Sequence, residues 1–330
     1  MKTIFSGIQP SGGLHIGNYV GAISQWRRMQ ETGDYDQIFC IVDLHAITVA
    51  QDPKTLRTNS MNLAAFYMAC GIDPARSSLF IQSHNADHPY LGWIFNCVTP
   101  MGWMERMTQY KDKEAKQKER SSLGLFSYPT LMAADILLYD THIVPVGEDQ
   151  RQHVELARDI AKRFNAQFGE TFVLPEAQIE QGRNRRIMSL QDPTSKMSKS
   201  DENQQGVLYM LDSPDVVVQK IKRAVTDSAS AVSIEHKSDG VDNLISIMSV
   251  ATGRSSEDLY AAYDGKGYGD FKADVAEAVV AFLQPIQDQF ARITSDTSHI
   301  ESVLATSLAA VQARSHAKIS QVKAAMGLAT

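Results

Sequence analysis

The sequence predicts an α/β fold, in which a doubly wound parallel sheet precedes a second, smaller all-helical domain. In the first half of the chain, short β-branched or aromatic runs alternate with longer segments of helical period. That alternation is typical of βαβ units. After Pro193 the strand pattern fades and the remaining segments are helical and polar. A length of 330 residues also exceeds the size at which a single core keeps growing.

Four strands and four helices are predicted in the first half. The strands span residues 4–8, 37–42, 79–82 and 141–146. The helices span residues 18–29, 53–70, 128–139 and 148–165. The second of these has the clearest ends, because Asp52 is a good N-cap, Pro53 suits the first turn and Gly71 favours termination. The later helices are expected at residues 213–225, 255–263, 270–294 and 300–326.

Composition narrows the class of protein without suggesting a nucleic-acid partner. The 43% apolar and 21% charged residues are ordinary for a globular protein. The sequence has no apolar run of membrane-spanning length and no export signal at its start, so we expect a cytoplasmic protein. Cys40, Cys70 and Cys97 lack the paired spacing of a zinc or iron–sulfur site, and we expect them to be buried.

The formal net charge of −6 gives no overall attraction to RNA, so any such contact needs local basic patches. Two groups of basic residues qualify, although each could equally be a solvated helix face. They are Lys220, Lys222 and Arg223, and Arg314, Lys318 and Lys323.

Polar residues cluster where the predicted strands end, which is where doubly wound sheets bind ligands. Residues 9–18 follow the first strand and match neither common phosphate loop, GxGxxG or GxxxxGK[ST]. Glycines at 12 and 13 permit a tight turn, and Gly17 permits a flat ring to approach the backbone. The helix that follows favours an anion, with His15 and Asn18 as further donors. Alone, the segment could also be a capped turn with a spare histidine.

A second loop, residues 193–201, interleaves Lys196 and Lys199 with small hydroxyl residues. Two ammonium groups beside several hydroxyls can follow a triphosphate as charge moves onto the leaving pyrophosphate. Short Lys/Ser loops are also common linkers. The two loops together, His15-Ile16-Gly17-Asn18 and Lys196-Met197-Ser198-Lys199-Ser200, resemble the two signatures of class I aminoacyl-tRNA synthetases, in the same order along the chain. The resemblance implies the Rossmann-like fold of that class.

The predicted helix at residues 128–139 is almost wholly apolar but contains one carboxylate, Asp135. Tyr128, Met132 and Asp135 share one helical face and can line one pocket. A buried carboxylate requires a partner, and an indole N–H is a donor with no acceptor character. Such a pocket would reject phenylalanine. A purely structural aspartate is the alternative.

Several segments, including 6–12, 40–48, 132–139 and 144–150, resemble the bacterial tryptophanyl-tRNA synthetases, and the resemblance covers the chain. It implies that tryptophan is bound by Asp135, Phe5, His45, Tyr128, Met132, Val144, Val146 and Gln150. It implies that ATP is held by Gln9, Pro10, Ser11, Gly17, Asn18, Gly147, Glu148, Asp149, Ile187, Lys196, Met197, Ser198, Lys199 and Ser200. Lys196, Lys199, Lys113 and His15 would act in catalysis.

The resemblance also implies partners and a domain plan. ATP would enter with Mg²⁺ as a substrate complex, with no metal held by the protein alone. Tryptophan and tRNA(Trp) would be the other substrates, and the enzyme would be a homodimer. Residues 1–190 would form the catalytic domain, residues 191–285 would read the anticodon, and residues 286–330 would form a helical segment packing back towards the catalytic domain.

Three other functions remain open at this stage. A tyrosyl-tRNA synthetase would share the fold but should have a longer chain and more polar groups for a phenol. A nucleotidylyltransferase could share the first loop but would not need the helical domain. A non-catalytic RNA-binding relative would be favoured by loss of a signature lysine or of Gly17, and all of these are present.

Overall fold

The computed structural model describes residues 1–107, 122–179, 187–199, 201 and 203–329. In these residues, five strands form one sheet of order β3-β2-β1-β4-β5 in which every pair is parallel. They are β1 (Lys2–Ile8), β2 (Tyr35–Ile41), β3 (Ser77–Ile81), β4 (Ile143–Pro145) and β5 (Glu176–Gln178). The predicted doubly wound α/β fold is confirmed. β5 was not predicted, because three residues beginning with an exposed glutamate carry no strand pattern.

The other regular elements of the described chain are helices. The first group comprises α1 (Ile16–Asn18), α2 (Ser24–Thr32), α3 (Asp43–Ala46), α4 (Pro53–Ala69), α5 (Asp87–Val98), α6 (Met101–Met104), α7 (Leu123–Leu137) and α8 (Arg151–Phe168). The second group comprises α9 (Pro214–Lys222), α10 (Asp239–Thr252), α11 (Ser256–Tyr263), α12 (Tyr268–Thr294) and α13 (Thr297–Met326). Short 3-10 turns occupy Gln82–His84, Glu148–Gln150 and Gln204–Gly206. None of the described helices is long and apolar enough to cross a bilayer.

Local chemistry explains where the main helices begin and end. The Asp52 side chain accepts from the Thr55 N–H at 2.8 Å and Pro53 opens α4, as predicted. Ser122 caps α7 by accepting from the Leu125 N–H at 3.2 Å. The predicted helix over residues 18–29 is wrong in its regularity, since the π-helical segment Tyr19–Ile23 separates α1 from α2. π-helical turns are frequent at functional sites.

The order of the strands indicates where in the sheet the site is expected. β1 lies between β2 and β4, so the chain winds outwards in both directions from the β1–β4 pair. Ligands of doubly wound sheets bind where the strand order reverses, beyond the carboxyl ends of the strands. Residues 9–11 follow β1 and Gly147 to Gln150 follow β4, which marks this edge as the place to look for the site.

The chain divides into two compact units. Unit 1 contains Met1–Ser11, Arg28–Glu180 and Asp296–Thr330; unit 2 contains Gly12–Arg27 and Gln181–Ser295. Residues 12–27 group with the helical unit because Ile16 N–H donates to the Leu208 carbonyl and Met210 N–H donates to the Leu14 carbonyl, both at 2.9 Å. Backbone hydrogen bonds between residues almost 200 positions apart cannot be predicted from local sequence patterns.

Unit 1 has its core between the sheet and the helices that pack on it. That core joins residues of β1 to β4 with residues of α5, α7 and α8. α13 lies in this unit, against β3, α4 and α5. Cys40 and Cys70 are buried, whereas Cys97 is exposed on α5, so the expectation that Cys97 is buried is wrong. The apolar residues around Cys97 do not mark which face of the helix it occupies.

Candidate active site

The centre of the site in unit 1 is the Asp135 carboxylate on α7, which is 1% exposed. Three side chains contact it: His45 Nε2 lies 2.8 Å from Oδ2, while Gln82 Nε2 and His88 Nδ1 each lie 2.6 Å from Oδ1. Burial raises the pKa of Asp135, but the hydrogen bonds from His45 and His88 outweigh burial and hold that pKa well below its usual range. Asp135 is therefore a carboxylate anion.

These contacts bear on the alternatives left open by the sequence. A buried Asp135 requires a partner, and the protein supplies three donors, two to Oδ1 and one to Oδ2. Gln82 stands in the turn after β3, where a functional residue was expected, and the Leu44 N–H orients it by donating to its Oε1 at 3.1 Å. Nothing in the sequence singled out His88.

The aromatic and aliphatic side chains predicted to wall the site are placed in the core of unit 1. The rings of His45 and Tyr128 meet edge to face with centroids 6.2 Å apart. The Tyr128 hydroxyl lies 2.9 Å from His153 Nε2, and burial raises its pKa to about 12. Phe5 and Val144 belong to the buried core, with Met132 and Val146 packed against it. This set can hold a flat apolar ring that carries one polar hydrogen.

Two loops of unit 1 border the switch point of the sheet. Gln9, Pro10 and Ser11 follow β1, and the Ser11 N–H donates to the Gln9 carbonyl at 2.8 Å to form a tight turn. Gly147 follows β4; a Cβ there would lie 2.7 Å from Asp149 Oδ1, so a larger residue would require the exposed Asp149 side chain to move.

The remaining site residues of this turn are Asp149, Gln150 and Glu148. The Gln150 side chain donates to Asp149 Oδ2 at 2.9 Å. Glu148 makes two exposed hydrogen bonds to Arg151, at 2.7 and 3.0 Å.

The first signature loop, in unit 2, is polar and lies near the two lysines of the second loop. His15 is 5% exposed, and its Nδ1 has no hydrogen-bond partner among the described residues. Burial, followed by the charges of Lys199 and Lys196, lowers the pKa of His15 to about 4. The ring is therefore neutral at physiological pH. Asn18 Oδ1 accepts from the His15 N–H at 3.1 Å, which fixes the start of α1.

The second signature loop packs beside the first in unit 2. The Met197 N–H donates to the Ile187 carbonyl at 3.0 Å, and Met197 is buried, which anchors the loop. Burial lowers the pKa of Lys199 to about 8. A Cβ on Gly17 would lie 2.9 Å from His15 Nδ1 and 3.7 Å from Ile187, so only glycine leaves that surface open.

Not every predicted residue can be placed. Lys113 and Ser200 lie outside the described residues. Ser198, between the two lysines, is half-buried. The described residues contain no group of three metal-ligating side chains.

One lysine from each of the two groups of basic residues considered for RNA binding is buried and has a structural role. Lys220 is 5% exposed and donates to the Val207 carbonyl and Asp212. Lys318, also 5% exposed, donates to the Thr171 carbonyl at 2.8 Å. These lysines look solvated in sequence because their partners are far along the chain, and neither is available to RNA.

Comparison with known proteins identifies the family. A family model described as class I tRNA synthetases (W and Y) matches residues 1–284. The chain belongs to this class I synthetase family. It is an aminoacyl-tRNA synthetase, and the resemblance expected from the two signature loops is confirmed.

Relatives of this synthetase match along nearly its whole length. The tryptophan–tRNA ligase of Oceanobacillus iheyensis is 52% identical over 329 residues, and that of Wolinella succinogenes is 49% identical over 327 residues; each alignment covers 99% of both chains. A Campylobacter jejuni tryptophanyl-tRNA synthetase solved with ADP and tryptophan is 38% identical, with a TM-score of 0.87 over 99% of this chain and 100% of that one. A Mycoplasma pneumoniae tryptophanyl-tRNA synthetase has the same TM-score at 36% identity, over 100% and 98%.

Proposed function

We propose that this synthetase is a tryptophan–tRNA ligase. It activates L-tryptophan with ATP to give tryptophanyl-adenylate and pyrophosphate, and then transfers tryptophan to the 3′ end of tRNA(Trp). The single observation that carries the choice of amino acid is the buried, unprotonated Asp135 carboxylate on the largely apolar helix α7. A carboxylate accepts a hydrogen bond from the indole N–H. Phenylalanine has no such donor, so the carboxylate would lack that partner when phenylalanine is bound.

The tryptophan pocket is assigned to unit 1. The indole ring is held among Phe5, Tyr128, Met132, Val144 and Val146, and the ring N–H donates to Asp135. His45 and Gln150 contact the amino acid beside the ring. A tyrosine would present its hydroxyl, which can also donate to a carboxylate, so the depth of the apolar surround decides between the two amino acids.

ATP enters as its magnesium complex. The phosphates are assigned to the signature loops of unit 2, where His15, Lys196 and Lys199 bring cationic and N–H donors together. Further ATP contacts are assigned to Gln9, Pro10, Ser11, Gly17 and Asn18, to Gly147, Glu148 and Asp149, and to Ile187, Met197, Ser198 and Ser200. Lys113 is assigned to the pyrophosphate on the strength of the family resemblance alone.

The chemistry needs no side-chain base in the first step. The tryptophan carboxylate is already an anion when it attacks the α-phosphorus of ATP, and the bond to pyrophosphate breaks. Lys196 and Lys199 stabilise the charge that builds on the leaving pyrophosphate. Neutral His15 donates a hydrogen bond to a phosphate oxygen, since its lowered pKa leaves it without a charge. In the second step, a hydroxyl of the terminal adenosine attacks the adenylate's acyl carbon and AMP leaves.

The assembly is proposed to be a cytoplasmic homodimer. α5 and α7 pack together in unit 1, and exposed apolar side chains lie on or next to them: Trp93 is 69%, Met101 63% and Leu123 80% exposed. The proposal takes these side chains as one apolar patch, and contiguous apolar patches mark protein contacts. The helices of unit 2 from α9 to α12 are proposed to read the anticodon.

Ligation is tested by charging. Purified protein, MgATP and unfractionated tRNA are incubated with labelled tryptophan, and acid-insoluble label is counted. Ligation to tRNA that an excess of unlabelled tyrosine does not reduce supports the proposal. Label that tyrosine displaces would assign the enzyme to the other branch of the family, and adenylate formation without any transfer would exclude the ligase.

A further inference from the structure

A chain of buried hydrogen bonds leads away from Asp135 to helix α13, all within unit 1. His88 Nδ1 lies 2.6 Å from Asp135 Oδ1, and His88 Nε2 lies 2.7 Å from the Tyr139 hydroxyl. Asn85 Nδ2 lies 3.1 Å from the same hydroxyl and 3.0 Å from Ser315 Oγ on α13. Asn85, His88 and Ser315 are each 0% exposed. The proposed function uses none of the residues beyond Asp135.

The chemistry of the groups fixes the direction of every bond. The unprotonated Asp135 can only accept, so His88 Nδ1 donates to it. The Asn85 amide nitrogen can only donate, so the Tyr139 hydroxyl oxygen accepts from it. Among the described residues, the acceptor within reach of the hydroxyl proton is His88 Nε2, 2.7 Å away. Burial raises the pKa of Tyr139 above its usual range, so the hydroxyl keeps that proton. Tyr139 therefore selects the neutral His88 tautomer whose proton is on Nδ1.

These hydrogen bonds fix the orientation of the Asp135 carboxylate. Oδ1 accepts from both Gln82 and His88, which uses both of its lone-pair directions. Oδ2 accepts from His45 alone among the described residues, so one of its lone-pair directions remains for a ligand. The carboxylate cannot rotate to exchange the two oxygens without breaking these bonds, and Gln82, His88 and Asp135 are all fully buried.

We propose that His88 and Tyr139 are positioning residues that aim Oδ2 of Asp135 at the ring N–H, and so set the preference for an amino acid that carries one. This inference rests on the proposed function, because it takes the indole of tryptophan as the ligand. It adds two specificity-determining residues that do not touch the substrate. An orienting bond to a buried carboxylate is strong enough for its loss to be measured.

The test compares tryptophan with its analogue in which a ring sulfur replaces the N–H, a benzothiophene-bearing alanine. Tryptophan and this analogue differ mainly in the ring N–H donor. The ratio of their kcat/KM values in pyrophosphate exchange therefore reports the contact made by that N–H. Two matched variants of His88 test whether the position of its donor nitrogen matters. His88→Asn keeps a nitrogen donor at the same number of bonds from Cβ as Nδ1, whereas His88→Gln moves it one bond further out.

His88→Gln is expected to lower the ratio about 5- to 10-fold, the equivalent of one hydrogen bond, with KM for ATP unchanged. His88→Asn should stay within about threefold of the wild type. Tyr139→Phe should also lower the ratio, because His88 loses the donor that selects its tautomer. Its control is Tyr67→Phe, which removes another fully buried hydroxyl of unit 1 and should leave the ratio unchanged.

Two results would overturn the inference. In one, His88→Gln and Tyr139→Phe fold but slow both amino acids equally, which is the signature of a general loss of structure. In the other, His88→Asn loses as much discrimination as His88→Gln. The proposed function is tested separately by the wild-type protein: failure to use tryptophan at all would reject that function, whereas an altered or unaltered ratio among variants bears only on His88 and Tyr139.

Discussion

Replacing Asp135 with asparagine tests the pocket at its most informative atom. The amide nitrogen must face either the two donors at the Oδ1 position or the one donor, His45, at the Oδ2 position. Placing it towards His45 loses one contact rather than two, so the amide should adopt that orientation. The NH₂ group then occupies the position proposed to accept the indole N–H.

The magnitude follows from that geometry. A hydrogen bond to a charged acceptor is worth about 1.5–3 kcal/mol, which corresponds to about 10- to 150-fold in kcat/KM for tryptophan. Because one donor–acceptor contact is replaced by a donor–donor contact, the free energy of unfolding should also fall by about 1–3 kcal/mol. KM for ATP should be unchanged.

The assay is pyrophosphate exchange at varied tryptophan and saturating ATP, with circular dichroism and thermal unfolding to establish that Asp135→Asn folds. Gln178→Asn, on the short edge strand β5, is a control for a change of similar size elsewhere in unit 1. A folded Asp135→Asn protein whose kcat/KM for tryptophan is within threefold of the wild type would refute the assignment of Asp135 to the indole.

Four further predictions concern other parts of the chain. Because the pKa of Lys199 is about 8 and bound phosphate favours its charged form, MgATP binding at pH 8 should take up a fraction of a proton in calorimetry across buffers; uptake should vanish at pH 6.5 and in Lys199→Ala, and its persistence in that variant would contradict the assignment. Lys199→Ala should also slow adenylate formation about 10²- to 10³-fold at saturating ATP, which single-turnover kinetics would measure. Lys318→Met should lower the free energy of unfolding by about 1–3 kcal/mol, since it removes a buried donor to the Thr171 carbonyl, yet leave KM for tRNA unchanged; a raised KM without lost stability would restore its role in RNA binding. Trp93→Asp should give a folded monomer by light scattering, and an unchanged dimer would place the interface elsewhere.

The sequence predicted the parts of the fold that carry a local pattern. β1 to β3 were expected from continuous apolar runs, and α4 from its cap, its proline and the glycine that follows it. The helix Asp87–Val98 and the helix Asp239–Thr252 were not predicted. Each contains glycine, and the first also contains Pro89, so helical periodicity was weak where packing supplies the stability.

The sequence predicted those parts of the site whose functional residues lie close together along the chain. The two signature loops and the carboxylate of Asp135 each stand out within a short segment. The donors to that carboxylate do not, because His45, Gln82 and His88 come from different elements 90, 53 and 47 residues away. Lys220 and Lys318 show the converse error, since a lysine is usually exposed and only the fold reveals its buried acceptors.

Amino-acid-dependent exchange of labelled pyrophosphate into ATP tests the central claim most directly. The purified protein, with magnesium, is given tryptophan, tyrosine or phenylalanine in separate reactions. The carboxylate acceptor in an apolar pocket predicts exchange with tryptophan, very little with tyrosine and none above background with phenylalanine. Exchange with tyrosine at a rate equal to or above that with tryptophan would contradict the assignment of the Asp135 pocket while leaving the family intact.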